Sequence, residues 1–201
     1  MAIFRLGDIS TIQMGLILER KKAENRSPYI FKQLTLRSLE SDCINLEAIV
    51  PFCSSKPLNS DYLTRAGTIV MKLSAPFNPM VITGETEGYL FPSQMVSIRP
   101  NKTVLPEYLS LFLSQDFVAE RLLADYFWIA QRAITVSSLS NLEIKVPSLN
   151  NQQAICDFYQ DYRHIRQLRM ELDKEEQTMM KYIFSMLSKD KENKHDHQKR
   201  H

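Results

Sequence analysis

Glycine is scarce, with five in 201 residues. They stand apart, at Gly7, Gly15, Gly67, Gly84 and Gly88. No cluster of them can wrap backbone N–H groups round a phosphate, which excludes a P-loop or a G-x-G-x-x-G turn. Histidine is almost confined to the C-terminus, at His195, His197 and His201, with His164 the exception. There is no H-E-x-x-H and no G-x-S-x-G, so zinc peptidase and serine hydrolase chemistry have no carrier. The tail histidines have no structured neighbours to orient them, and no metal is expected there. Cys43, Cys53 and Cys156 are odd in number and never form C-x-x-C, which argues against a disulfide framework or a cysteine zinc site. Reduced thiols and a cytoplasmic location are the expectation. No apolar run approaches the ~20 residues that span a bilayer. The first residues carry no basic stretch followed by an apolar one, so neither a signal peptide nor a membrane role is expected. Excess charge is missing too: 25 Lys and Arg against 23 Asp and Glu leave a net +2. Nucleic-acid binding cannot be argued from net charge.

What is present is enough apolar material, 44%, for a real core. Three textures follow one another. Residues 1–150 mix short apolar runs with turn residues. Thr68-Ile69-Val70-Met71-Lys72-Leu73, between Gly67 and Ser74-Ala75-Pro76, reads as a buried strand. Met95-Val96-Ser97-Ile98-Arg99 and Leu142-Glu143-Ile144-Lys145-Val146 alternate and stop at prolines, as half-exposed strands do. Pro106 suits a first helical turn, and Leu109, Phe112, Leu113, Phe117 and Leu122 follow on one helical face. The expected fold is therefore α+β, a mixed β-sheet domain followed by a long helix.

That helix is expected over residues 151–188, which lack both Gly and Pro. Phe158, Ile165, Leu172, Met179 and Met186 recur every seven residues, with Tyr162 and Ile183 at the second seam position. Arg169 and Glu176 occupy that second position in the middle heptads. A repeat of seven held this long predicts a supercoiled helix pairing with another. At ~1.5 Å per residue it would run ~50 Å, more than one small domain can bury. The alternative is one amphipathic helix folded onto its own domain. Residues 189–201 carry no apolar side chain and are expected to be a disordered charged tail.

Catalytic groups are hard to find. Glu85 and Glu87 sit in a Gly-bounded segment that reads as a solvated turn. Asn78-Pro79-Met80-Val81 falls short of the Asn-Pro-Pro-aromatic sequence with which amino-methyltransferases hold a base. No cofactor is implied, and a non-catalytic chain is expected.

Four segments, in order, resemble the specificity (S) subunit of type I restriction-modification systems. Leu6-Gly7-Asp8-Ile9-Ser10 through Gly15 is similar to the opening of its target-recognition domain. Leu63 through Lys72 is similar to its "L…GDIL" strand, with Thr68 in place of the acidic residue. Ser93 through Pro100, then Pro106-Glu107-Tyr108-Leu109, follow the next strand and helix. Ile134–Leu139 and Leu142–Ile155 follow the junction leading to the long helix, with Asn151 where an acid is usual. Phe127 through Ala133 departs from the family's Gly-rich stretch.

The resemblance implies residues 1–150 as a target-recognition, DNA-binding domain and 151–188 as a coiled-coil helix for dimerisation and spacing. The family's usual subunit has two such domains and two such helices, so this chain reads as a half-subunit. A homodimer through Phe158, Tyr162, Ile165, Leu172, Met179, Ile183 and Met186 would present two domains to a bipartite palindrome in double-stranded DNA. Methylation and cleavage would belong to methyltransferase (M) and restriction (R) partners. Candidate DNA contacts are the basic run Arg20, Lys21, Lys22 and Arg26; Gln131 and Arg132, whose side chains suit adenine and guanine; and Lys72 with Ser74. A plain solvated loop, with Glu19 and Glu24 as local partners, is the competing account of the basic run. The competing account of the whole chain is a coiled-coil protein–protein adaptor that never meets DNA.

Overall fold

A computed structural model of the chain describes residues 2–23, 28–40, 43–124 and 133–198, with side chains as far as 186. The chain divides into two compact units, Met1–Cys156 and Asp157–His201.

The first unit is built on a four-stranded antiparallel sheet. Its strands are β2 (Ser10–Met14), β5 (Ile69–Lys72), β6 (Met80–Val81) and β7 (Met95–Pro100), in the order β2-β7-β5-β6. All four residues of β5 are buried. Its unbroken apolar run has a physical reason: the strand is covered on both faces. Ile69 and Met71 point, with Val96 and Ile98 of β7, into a core shared with Tyr108, Leu109, Leu113, Leu122, Leu139 and Ile144. Val70 and Met95 point the other way, to Leu34, Leu39, Ile82 and Phe91.

Two ribbons flank this sheet. β1 (Ala2–Arg5) pairs antiparallel with β8 (Glu143–Val146), so that the start of the unit is bonded to its last strand. β3 (Tyr29–Gln33) pairs antiparallel with β4 (Val50–Ser54). Against the β3–β4 ribbon lies a third core of Leu16, Phe52 and Leu90, packed with Phe31. Gly15 is required where this core meets the sheet, because a Cβ there would stand 2.1 Å from the Pro92 carbonyl oxygen. The Leu16 N–H donates to the Phe91 oxygen at 3.1 Å across the same close approach.

The helical segments are α1 (Leu6–Ile9), α2 (Pro106–Leu113), α3 (Asp116–Leu123) and α4 (Val136–Ser140), then α5 (Leu149–Gln198). The helical face expected to run from Leu109 to Leu122 is broken between α2 and α3. Gln115 is extended, with ψ 142. Its amide and the Ser114 hydroxyl both donate to the Leu111 carbonyl, at 2.8 Å each, which satisfies the end of α2 without a further turn. Phe117 is left 55% exposed, edge-on to Phe112.

The first two turns of α5 belong to the first unit. Gln152 and Cys156 are buried there, at 0% and 4% exposure. From Asp157 to Met186 every residue of α5 is exposed within the single chain. The helix continues to Gln198, at ~1.5 Å per residue about 75 Å in all.

Candidate nucleic-acid interface

The basic run lies where a turn meets a strand. Leu18–Arg20 forms one 3-10 turn, and the Lys21 N–H closes it on the Leu18 carbonyl at 2.9 Å. The chain then runs beside β4. Lys22 bridges Ser54, the Ala23 N–H donates to the Cys53 oxygen at 3.0 Å, and the Ser55 N–H donates to the Lys21 oxygen at 2.8 Å. Arg20, Lys21 and Lys22 are therefore held on an ordered edge, and all three are exposed. Lys56, also exposed, comes to the same edge from farther along the chain. The Ser54 hydroxyl donates to its carbonyl at 2.7 Å. Lys56 was invisible in the sequence, because only the bridge between residues far apart brings it to the cluster. Arg26 lies outside the described residues.

Lys72 and Ser74 have a different setting. Lys72 is the last residue of β5 and only 6% exposed. Its N–H donates to the Phe77 carbonyl at 2.8 Å. Ser74, half-buried, bridges Ala133, and the Ile134 N–H donates to the Leu73 carbonyl at 2.8 Å. Ala133 and Ile134 are thereby held beside the end of β5. Gln131 and Arg132 themselves lie outside the described residues.

One residue of structural consequence was not among the candidate site residues. Gln152 is fully buried in the first turn of α5. Its Oε1 accepts from the Leu105 N–H at 2.8 Å, and its Nε2 donates to the carbonyls of Thr103 and Pro147 at 3.0 and 2.9 Å. A single amide thus ties the start of the long helix to the segment that leads into α2. Nearby, the Tyr108 hydroxyl donates to the Lys145 carbonyl at 2.7 Å. Burial pushes this phenol above its ordinary value, and an electrostatic contribution from Cys156 adds to the rise. The sequence signal for Gln152 was weak but real: an amide repeated in a helical first turn just after Pro147.

All the proposed seam residues are open on α5. Phe158 is 74% exposed, Leu172 58% and Met179 64%, and Tyr162, Ile165, Ile183 and Met186 are exposed as well. Tyr159 stacks on Tyr162 with centroids 6.4 Å apart. Among the described residues no group of three or more His, Cys, Asp or Glu could hold a metal ion. No helix among them is long and apolar enough to cross a membrane.

Comparison with known proteins agrees with this architecture. The model of the type I restriction modification DNA specificity domain family matches residues 1–178. A putative type I restriction enzyme MjaX specificity subunit of Methanocaldococcus jannaschii is 28% identical over 115 residues, covering 52% of this chain and 26% of that protein. The solved HsdS subunit from Thermoanaerobacter tengcongensis superposes with a TM-score of 0.64 at 18% identity, over 89% of this chain and 47% of that one. A chain from a structural study of type I R-M complex assembly and conformational transition gives a TM-score of 0.57 at 18% identity, over 81% of this chain and 38% of that one. The chain therefore spans less than half the length of each of these relatives.

Proposed function

Because the chain belongs to the type I restriction modification DNA specificity domain family, we propose that it is a non-catalytic DNA-recognition half-subunit that dimerises through α5 and reads a bipartite target. The observation that carries this reading is the exposed apolar seam of α5. All thirty residues from Asp157 to Met186 are exposed in the single chain, yet they present apolar side chains at heptad spacing. Leaving that stripe in water forgoes ~25 cal/mol for every Å² that a partner would cover.

Seam chemistry also favours a direction. A parallel, in-register pair would set Arg169 against Arg169 and Glu176 against Glu176. An antiparallel pair with its two-fold axis between Leu172 and Asp173 sets Arg169 against Glu176 twice, which suits both charges. Two recognition domains related by that axis would read two half-sites of a palindrome. In this scheme Arg20, Lys21 and Lys22 contact phosphates, and Gln131, Arg132, Lys72 and Ser74 are the further candidate DNA contacts. Methyltransferase and restriction subunits, carrying methylation and cleavage, are the proposed protein partners, and the cytoplasm the proposed location.

Light scattering on the purified chain, alone and with its co-expressed methyltransferase, tests the assembly. The expected result is a dimer that captures the methyltransferase and retains duplex DNA with an affinity that falls steeply with salt. Replacing Ile165 and Leu172 together by Glu is expected to leave monomers, because both changes bury charge in the seam. The near-neutral net charge favours a second reading, a protein–protein adaptor. A chain that pairs but retains no duplex, with or without the methyltransferase, would establish that reading instead.

A further inference from the structure

β4 forms a two-stranded ribbon with β3 and bridges a further segment at its end. β3 lies along one edge, in register from Tyr29↔Ser54 to Gln33↔Val50. The Lys21–Ala23 segment lies along the other, held by the Lys22–Ser54 bridge and its two flanking hydrogen bonds. Side chains alternate across such a sheet. Phe31, Phe52 and Ser54 turn inward, the first two onto Leu16 and Leu90. The outer face then holds Lys21, Ile30, Lys32, Pro51, Cys53 and Ser55, all six exposed, with the half-buried Ala23 beside them.

The chemistry of this face is unusual for a solvated surface. Ile30, in its middle, is 66% exposed. None of its six residues is a carboxylate, in a chain with almost as many acids as bases. Lys21 stands on the segment bonded to the end of β4, and Lys32 on β3, whose far side bonds Leu90. Lys32 is steadied by the Tyr89 ring, whose centroid lies 5.3 Å from its Nζ. β3–β4 is a two-stranded ribbon, the kind of element that a major groove about 12 Å wide admits. Arg20, Lys22 and Lys56 add positive charge to the same segment, with Lys22, opposite Ser54, on the other face.

We infer that this outer face enters the major groove of duplex DNA, with Lys21 and Lys32 on the phosphates of the two groove walls. Ile30 then meets thymine methyl groups, and Ser55 and Cys53 face base edges. The inference rests on the DNA-recognition reading above and names the surface that performs it.

Cys53 provides the test, because it lies inside the face while Cys43 is exposed outside it and Cys156 is buried. The full chain is treated with N-ethylmaleimide, free and bound to duplex that it has selected from a randomised pool, with and without methyltransferase. Mass spectrometry follows each thiol. Bound duplex is expected to slow modification of Cys53 by more than about tenfold while Cys43 reacts as before. Lys21→Gln and Lys32→Gln should each lower the slope of log affinity against log salt by about 1. Ile30→Ala should leave that slope unchanged and reduce discrimination between selected and scrambled duplex about tenfold. Duplex retained with Cys53 fully reactive overturns this inference and leaves DNA recognition standing. Protection of Cys53 by methyltransferase in the absence of DNA makes the face a protein-docking surface and also overturns it. Failure to retain any duplex overturns the inference and the DNA reading together.

Discussion

At the scale of single residues, the structure turns on groups with few substitutes. Gln152 answers three backbone groups with one amide, accepting from Leu105 and donating to Thr103 and Pro147. Gln152→Leu would bury that N–H and those carbonyls without partners, and a loss of about 2–4 kcal/mol in urea unfolding is expected. Gln152→Glu should also destabilise near neutral pH, because a carboxylate cannot donate to the two carbonyls. It should recover partly as acidification returns a donor, which a simple packing defect would not do. Tyr108 has the opposite pH sense. Its folded-state value is raised by burial, so the folded chain favours the protonated phenol. Its contribution is full below the unfolded value, about 10, and is lost as pH rises through the higher folded one. Tyr108→Phe should therefore be less stable at neutral pH for want of the bond to Lys145, yet lose less stability than the parent above about pH 10. Chemical unfolding of both proteins across that range provides the check.

At the scale of elements, legibility in the sequence follows the range of the interaction. The α5 seam is local, written every seventh residue from Phe158 to Met186, and its exposure in the single chain is what a partner-seeking helix requires. β5 was readable because burial on both faces leaves an unbroken apolar run. The break between α2 and α3 was not, since Ser114 and Gln115 are ordinary helical residues until their side chains take the Leu111 carbonyl. The β3–β4 ribbon and its basic edge were harder still. Lys56 joins Arg20–Lys22 only through pairing between Lys22 and Ser54, which no periodicity records. The same locality gives a test of helix direction. Arg169→Glu alone places acid against Glu176 in an antiparallel pair and should weaken dimerisation. Adding Glu176→Arg restores opposite charges and should restore it. In a parallel, in-register pair like charges face one another in all three proteins, so sedimentation should then show no such loss and recovery.

At the scale of the whole molecule, the proposed dimer has one adjustable dimension, the length of paired helix. The first two turns of α5 are part of the first unit, with Gln152 and Cys156 inside its core. In the proposed dimer the rest of the helix sets a distance. In an antiparallel pair that distance separates the two recognition domains, and hence the two half-sites. Lengthening the helix by whole heptads preserves the seam, but DNA imposes a second condition. Half-sites must return to the same side of the duplex, which happens once per turn, every 34–36 Å or about 10–10.5 base pairs. One inserted heptad adds only about 10 Å, or roughly 3 base pairs, and turns the second half-site well out of phase. Three heptads with leucine at both seam positions add about 31 Å, close to a full turn. A chain lengthened by three heptads after Leu172 should therefore select targets with the same half-sites and a spacer longer by about 9–10 base pairs. A chain lengthened by one should bind duplex weakly, whatever the spacer. Selection from randomised duplex pools reads both outcomes. An unchanged spacer in the longer chain would mean that the paired helix does not set the separation of the half-sites.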